Sequence, residues 1–294
     1  MEKLTETTVR PFENDGYAAG DWYFRPIDIR ETLRFDKVGS FVLNMTIDPE
    51  KEYEFTSIRA ALSLWELRVN YFANKVIRSE FIPVDVERPY LGGAWRQDST
   101  QEPELLPREL SIAYSKTFSN IEIIRNRIGL NFNINTSVTY NLQQYTNSNF
   151  QFTTGFTLIV AGFLDLSLSA TSNNAVIWRY FKDVPGMEDL TFMYVEGPQN
   201  NVFTDLFDSL NFSDVTKRER SGFKMQRFNL NAVHHLGDWT ATLSIGMYPY
   251  QDTTTFPPKY TITSDVSFMV QWKPITEIKA NIRYDGKEER WTVE

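Results

Sequence analysis

Residues 239–284 contain three successive runs in which apolar and polar side chains alternate. In WTATLSIGM, Trp239, Ala241, Leu243, Ile245 and Met247 fall on one face, and Thr240, Thr242, Ser244 and Gly246 on the other. From Tyr260 the pattern returns for longer. Tyr260, Ile262, Val266, Phe268, Val270 and Trp272 share a face opposite Thr261, Thr263, Asp265, Ser267 and Gln271, with Met269 the one apolar residue among the polar ones. After KPIT, Ile278, Ala280, Ile282 and Tyr284 alternate with Glu277, Lys279, Asn281 and Arg283. Successive side chains of a strand point to opposite faces, so each run predicts a strand with one apolar and one polar side. Strands of soluble proteins usually stop at roughly 5–6 residues. At roughly 3.3 Å per residue the middle run covers about 40 Å. Tilted by roughly 40°, it spans about 30 Å, the apolar band of a membrane barrel with its flanks. It also begins and ends on an aromatic, as interfacial girdles require. The expectation is an all-β fold: an antiparallel transmembrane β-barrel.

Composition narrows the alternatives. The 294 residues carry a net charge of −8 and a pI near 5.0, and no block of Lys and Arg, which argues against a nucleic-acid partner. The absence of cysteine excludes disulfides, Cys-ligated zinc and thiol catalysis. Aromatics reach 15%, high for a domain in water. No run reaches the roughly 18 apolar residues of a transmembrane helix, a test that barrel strands never pass. The opening MEKLTETTVRPFEND has no apolar signal-peptide core. A bacterial outer-membrane protein needs one, so the chain is expected to be an internal or C-terminal piece of a longer protein.

Along the chain, residues 1–54 carry the least pattern, with strand candidates at 17–24, 28–36 and, more regularly, 40–48. Within 55–77 the apolar phase slips between Leu64 and Trp65, which fits either a bulge or a very tight hairpin. Residues 78–107, with Pro83, Pro89, Pro103, Pro107 and Gly92-Gly93, predict a long loop. Strands are expected at 108–117, 128–143 and 150–160, then as one run over 163–181 after a reversal at Ala161-Gly162. Residues 182–221 form a second long loop. In it Val202, Phe203, Leu206, Phe207 and Leu210 mark one face of a short helix, a candidate lumen plug or loop cap, with packing on its own loop as the plainer reading. Strand pattern resumes at 222–234. The breaks alternate between short (161–162, 235–238, 273–276) and longer (144–148, 182–221, 249–259, 286–289). Barrel topology places short turns on the periplasmic side and long loops outside. In that orientation Trp239 and Trp272 belong to the periplasmic aromatic girdle, and Tyr248 and Tyr260 to the outer one. Residues 1–294 are read as one barrel region of roughly 12–14 long strands, about half of a larger barrel, with 78–107 and 182–221 extracellular.

The polar faces hold mostly Ser, Thr, Asn and Gln, whereas the wet face of a soluble sandwich usually carries Lys and Glu. Asn131, Asn133, Asn135, Asp265 and Gln271 are candidates to face a wet lumen. Arg218 and Arg220, in the run Lys217 to Arg220, are candidates to meet lipid phosphate or sugar-borne anions, against the plainer reading of a solvated loop. His234-His235 is expected to be a turn pair, since a metal would need further ligands and the chain has only these two histidines. No nucleophile–base pair, phosphate loop or metal-ligand spacing occurs, so neither enzyme activity nor a cofactor is expected.

Three segments resemble a known family: FTLIVAGFLDLSLSATSNNAVIWRYF (156–181), DLFDSLNFSDVTKRERSGFKMQRFNLNAVHHLGDWTATLSIGM (205–247) and VQWKPITEIKANIRYD (270–285). They are similar to the C-terminal barrel of the lipopolysaccharide-assembly outer-membrane protein family LptD, in its divergent non-enterobacterial form. The resemblance covers roughly residues 55–294 and is most specific at SLNF, the R-x-R-S-G-F-K run and HHLGDW. It implies a large barrel in the outer membrane of a diderm bacterium. That barrel takes lipopolysaccharide from periplasmic bridge proteins and releases it into the outer leaflet through a seam between its first and last strands. It also implies a lipoprotein partner plugging the lumen, and no catalytic residues. The periplasmic lipid-binding domain of the family is not seen, and the final RWTVE lacks the terminal aromatic usual in barrels. Two alternatives stand beside this reading: another outer-membrane barrel, such as a porin or passive channel, and a soluble β-rich binding module.

Overall fold

The computed structural model describes residues 2–3, 22–23, 25–50, 52–83, 93–180, 201–211, 214–252 and 259–293. Seventeen strands follow in chain order: β1 Glu2–Lys3, β2 Trp22–Tyr23, β3 Ile27–Phe35, β4 Gly39–Asp48, β5 Glu54–Leu64, β6 Leu67–Val76, β7 Ser79–Pro83, β8 Gly93–Gln97, β9 Glu104–Ile124, β10 Ile128–Asn141, β11 Asn149–Val160, β12 Leu164–Asn174, β13 Phe223–Leu236, β14 Trp239–Asp252, β15 Lys259–Trp272, β16 Lys279–Asp285 and β17 Arg290–Val293. Two helices, α1 Val202–Ser209 and α2 Val215–Arg220, lie between β12 and β13. Thirteen strands form one antiparallel sheet in the order β17-β16-β15-β14-β13-β12-β11-β10-β9-β6-β5-β4-β3. The order is open: β3 and β17 are its two ends. β1 with β2, and β7 with β8, form separate two-stranded sheets.

The chain divides into two compact units. The first holds residues 1–112 and 139–145. Its phase slip near residue 64 is a hairpin: β5 and β6 are joined at Trp65-Glu66, with Leu64 opposite Leu67. Trp65 takes φ 48, the left-handed conformation that a turn this short demands. The preceding turn brings backbones so close that a Cβ on Gly39 would lie 1.9 Å from the Ser63 carbonyl oxygen. Glycine there is a steric requirement. Of the predicted loop 78–107, residues 84–92 lie outside the described residues, and strands occur on either side of them. β7 and β8 pair, with Phe81 opposite Trp95, and Trp95 sits between the rings of Phe81 and Tyr145, 5.3 and 4.8 Å away. β9 already begins at Glu104.

The second unit holds residues 113–138 and 146–294. β9 continues to Ile124, beyond the predicted end at residue 117. The apolar phase changes from Ile112 and Phe118 to Ile121 and Ile123 around Asn120, whose φ is 59. A residue in that conformation inside a strand swaps the faces of the residues after it, as a bulge does. The predicted single strand over 163–181 also needs correction. β12 stops at Asn174, whose Oδ1 accepts the Val176 N–H at 2.8 Å. That Asx turn leads into a short 3-10 helix, Ile177–Tyr180. The predicted helix near 202–210 is α1, and α2 follows it. The predicted break at 249–259 is narrower, since β14 and β15 stay paired out to Asp252 and Lys259. Residues 182–200 of the long-loop reading, and 17–21 and 24 of the first strand candidate, lie outside the described residues.

In the first unit, and as far as β14 in the second, short turns alternate with longer connections; the alternation ends there, since 273–278 joins β15 to β16 and the shorter 286–289 joins β16 to β17. In the first, 36–38 and 65–66 alternate with 49–53 and 77–103; in the second, 125–127, 161–163 and 237–238 alternate with 175–222. Gly162 and Gly237 take φ 69 and 61 in two of the short turns, conformations nearly closed to other residues.

Candidate functional site

The surface that sets this chain apart is the β11–β17 part of the sheet, where register carries each residue type straight across seven strands. Leu158, Leu166, Ala232, Leu243, Phe268, Ile282 and Val293 stand opposite one another in sequence. So do Phe156, Leu168, Leu230, Ile245, Val266, Tyr284 and Trp291. The intervening row, on the other face, is Thr157, Ser167, Asn231, Ser244, Ser267, Arg283 and Thr292. A slip of one residue in any strand would move its apolar set to the polar side, so seven strands in phase define two chemically distinct faces. The apolar face is not covered: Phe156, Phe268 and Ile282 are each about two-fifths exposed. The polar face is stitched by neutral hydrogen bonds. Thr157 and Ser167 hydroxyls lie 3.0 Å apart, Ser244 donates to Asn231 Oδ1 at 2.8 Å, and Ser267 to Asn281 Oδ1 at 3.0 Å. Asn229 Nδ2 donates to Ser169 at 3.2 Å.

At the end of β12 and β13 where the long connection 175–222 begins and ends, the chain builds its most buried cluster among the described residues. Ile177, Leu206, Phe223 and Met225 are buried there, with Phe223 edge-on to Phe150 at 5.0 Å. A polar network runs through the cluster. Asp205, 2% exposed, accepts from the Tyr180 hydroxyl and from the Gly222 N–H at 2.9 Å. Tyr180 in turn accepts from Asn174 Nδ2 at 2.9 Å. Ser221 donates to the Asp205 carbonyl, and the Ser209 hydroxyl lies 3.2 Å from that of Ser172. These bonds lock α1 to the ends of both strands. The Asn201 side chain starts α1 by accepting the Thr204 N–H at 2.8 Å.

The residues singled out from the sequence fall in different places. Asn131 Oδ1 accepts the Asn120 N–H at 2.8 Å, and both line an open cleft of about 340 Å³ with Glu122, Ile124, Gly129 and Ile159. Asn133 Oδ1 occupies the space where a Cβ on Gly155 would stand. Asn135 accepts from Ser115. Asp265 accepts the Gly286 N–H at 3.3 Å, and Gln271 donates to the Thr276 carbonyl at 3.0 Å. Trp239 and Trp272 are cross-strand partners with ring centroids 6.2 Å apart. Tyr260 pairs with Gln251.

Three expectations need correction. Tyr248 is one residue out of phase with Met247, so it stands on the polar face and not on the apolar one expected for it. Its ring lies 5.5 Å from the Arg227 guanidinium. Arg218 is not a surface anion contact. It is 6% exposed, its Nη1 donates to the Asn211 carbonyl at 3.2 Å, and its Nε has no partner. Arg220 is exposed. The histidines are not a turn pair, because both lie on β13 and face opposite ways. His234 packs edge-on against Phe163 at 4.5 Å, while His235 Nε2 is 3.0 Å from Asp165 Oδ2. Among the described residues no three His, Cys, Asp or Glu side chains gather as a metal site.

Sequence reasoning did not find Asp205, Tyr180 and Gly222 as a unit. An acidic residue in the middle of the apolar stripe 202–210 was the available signal, since such a residue is buried only with partners. No protein-family model matches the chain, and no curated protein matches it in sequence.

Proposed function

We propose that this chain is the C-terminal barrel region of an LptD-like outer-membrane translocon, which inserts lipopolysaccharide or a related glycolipid into the outer leaflet. The observation that carries the reading is the pair of apolar rows held in register across β11–β17, backed by a polar row that is uncharged except for Arg283. Two long faces of opposite character suit lipid on one side and a wet lumen on the other. In water the uncovered apolar face would be an aggregation hazard. From β3 to β14 the short turns and longer connections alternate as barrel turns and loops do. The outer edges of β3 and β17 carry backbone groups that hydrocarbon cannot satisfy, so in this reading they pair with the remainder of a larger barrel. The strands at the β17 edge are then the seam through which lipid leaves. A plugging lipoprotein fills the lumen, and periplasmic bridge proteins deliver the lipid; this chain contributes a path and no chemistry.

The test is site-specific photocrosslinking in the native outer membrane, with a photoreactive residue at Tyr284, Trp291 or Val293. Lipopolysaccharide adducts are expected at one or more of these positions. No adduct at any of them refutes the seam. Ion conductance by the purified protein without lipid transfer would favour a porin or passive channel. A protein that stays monomeric in water without detergent would overturn both barrel readings in favour of a soluble binding module.

A further inference from the structure

Helix α1 is turned inside out for a surface helix. Asp205 and Ser209, 2% and 0% exposed, face inward, while Phe203 and Phe207, one turn apart, are 73% and 71% exposed. The stripe Val202, Phe203, Leu206, Phe207 and Leu210 predicts the reverse for the phenylalanines. The orientation is not incidental, because the inward polar atoms hold specific partners. Rotating α1 to bury the rings would take Asp205 from Tyr180 and Gly222, and Ser209 from Ser172. Tyr180, Gly222 and Ser172 would each lose that hydrogen bond at a buried or half-buried position.

The neighbouring α2 packs against α1 and exposes Lys217 and Arg220. Asp214 is occupied in capping α2, accepting the Lys217 N–H at 3.1 Å. Two outward rings beside two exposed cations stand out on a chain of net charge −8. Rings that enter an acyl boundary and cations that meet phosphate are the two components of binding to an anionic lipid surface. A protein groove would give the rings a place but no reason for the cations.

We propose that the α1–α2 segment docks on an anionic lipid surface, with Phe203 and Phe207 entering the acyl boundary and Lys217 and Arg220 on the phosphates. The proposal rests on the reading of the sheet as a membrane barrel, and the test separates the two. Because the chain has no cysteine, single nitroxide labels can be placed at F207C and, on the apolar face of β15, at F268C. The full chain is reconstituted in vesicles of phosphatidylethanolamine with phosphatidylglycerol, and in phosphatidylcholine alone. Collision with oxygen and with a polar nickel complex is measured for each label. The expected result is preferential oxygen access at both positions, with the preference at residue 207 lost in phosphatidylcholine and lost in the K217Q/R220Q variant. A lipid-immersed label at 268 with a water-accessible one at 207 overturns this inference alone. A water-accessible label at 268 overturns the barrel reading and this inference with it. A label at 207 that is immobilised and shielded from both agents identifies a protein partner and refutes lipid docking. Full oxygen preference retained in K217Q/R220Q refutes the role given to the cations.

Discussion

Asp205→Ala is the most informative single change that the fold offers. The carboxylate is buried and serves two donors, the Tyr180 hydroxyl and the Gly222 N–H. Alanine removes the one oxygen, Oδ2, that accepts both bonds and leaves both donors without it. Losing a hydrogen bond to a buried charged group costs about 2–3 kcal/mol. The loss acts locally, on the hold of α1 and α2 over the ends of β12 and β13, and not on the sheet registers. Trypsin cleavage after Lys217 and Arg220 reads this opening, because cleavage of a locally opened segment tracks the population of the open form. At 1.4 kcal/mol per tenfold, cleavage there should rise about 30- to 150-fold. Tyr180→Phe alone should raise it less, since Gly222 still donates. The double variant should fall short of the summed effects by about 1 kcal/mol, as expected of residues in one network. The reasoning is refuted by a rise of less than about threefold in D205A, by strict additivity of the two changes, or by equal acceleration at sites throughout the sheet.

Other outcomes rest on single contacts. Gly39→Ala should destabilise the first unit by about 1–3 kcal/mol in denaturant titration, because the added methyl meets the Ser63 carbonyl and no flexible side chain can yield. Asn231→Ala should cost about 1 kcal/mol, as the Ser244 hydroxyl loses its acceptor; no change would mean that water replaces the bond freely. Trp272→Phe should abolish an exciton couplet in far-ultraviolet circular dichroism, which the Trp239–Trp272 pair at 6.2 Å should otherwise display. Asp98 is held below its ordinary value of 3.8 by the Thr100 hydroxyl and then by the Thr100 N–H. A depressed carboxylate adds stability to its turn above the unfolded value, and that contribution is lost as pH falls through the folded one. In T100V the Asp98 carboxyl titration, followed by NMR, should move upward toward 3.8.

Strand identity and facing were legible in the sequence wherever alternation persisted. Thr240 to Ser244 and Lys279 to Tyr284 read directly, and the registers of β14, β15 and β16 place them as their parity predicts. The failures share a cause: one residue changes conformation and the pattern carries no mark of it. Asn120 extends β9 while swapping its faces, and Asn174 ends β12 although Val176, Trp178 and Tyr180 keep the same parity beyond it. Both are Asn, which tolerates the left-handed conformation and bonds to nearby backbone at little cost, so composition hinted at a break without locating it. Tyr248 shows the same weakness in a site assignment. Its aromatic character matched a girdle, but its parity placed it on the other face. The Asp205 network was not legible because its members lie at positions 174, 180, 205 and 222, joined only by tertiary folding.

The alternation of short turns and long connections has a kinetic consequence. Most strands of the sheet pair with the strand just before them across only a few residues, so each hairpin closes locally and quickly. Two pairings break that rule: β6 with β9, across 77–103, and β12 with β13, across 175–222. Loop-closure entropy must be met there before any ladder bond forms. These two are therefore the expected late steps in assembly, with hairpins zipping up on either side of them. The α1 segment lies within the second, where Asp205 can hold a long excursion of the chain shut once β13 has found β12.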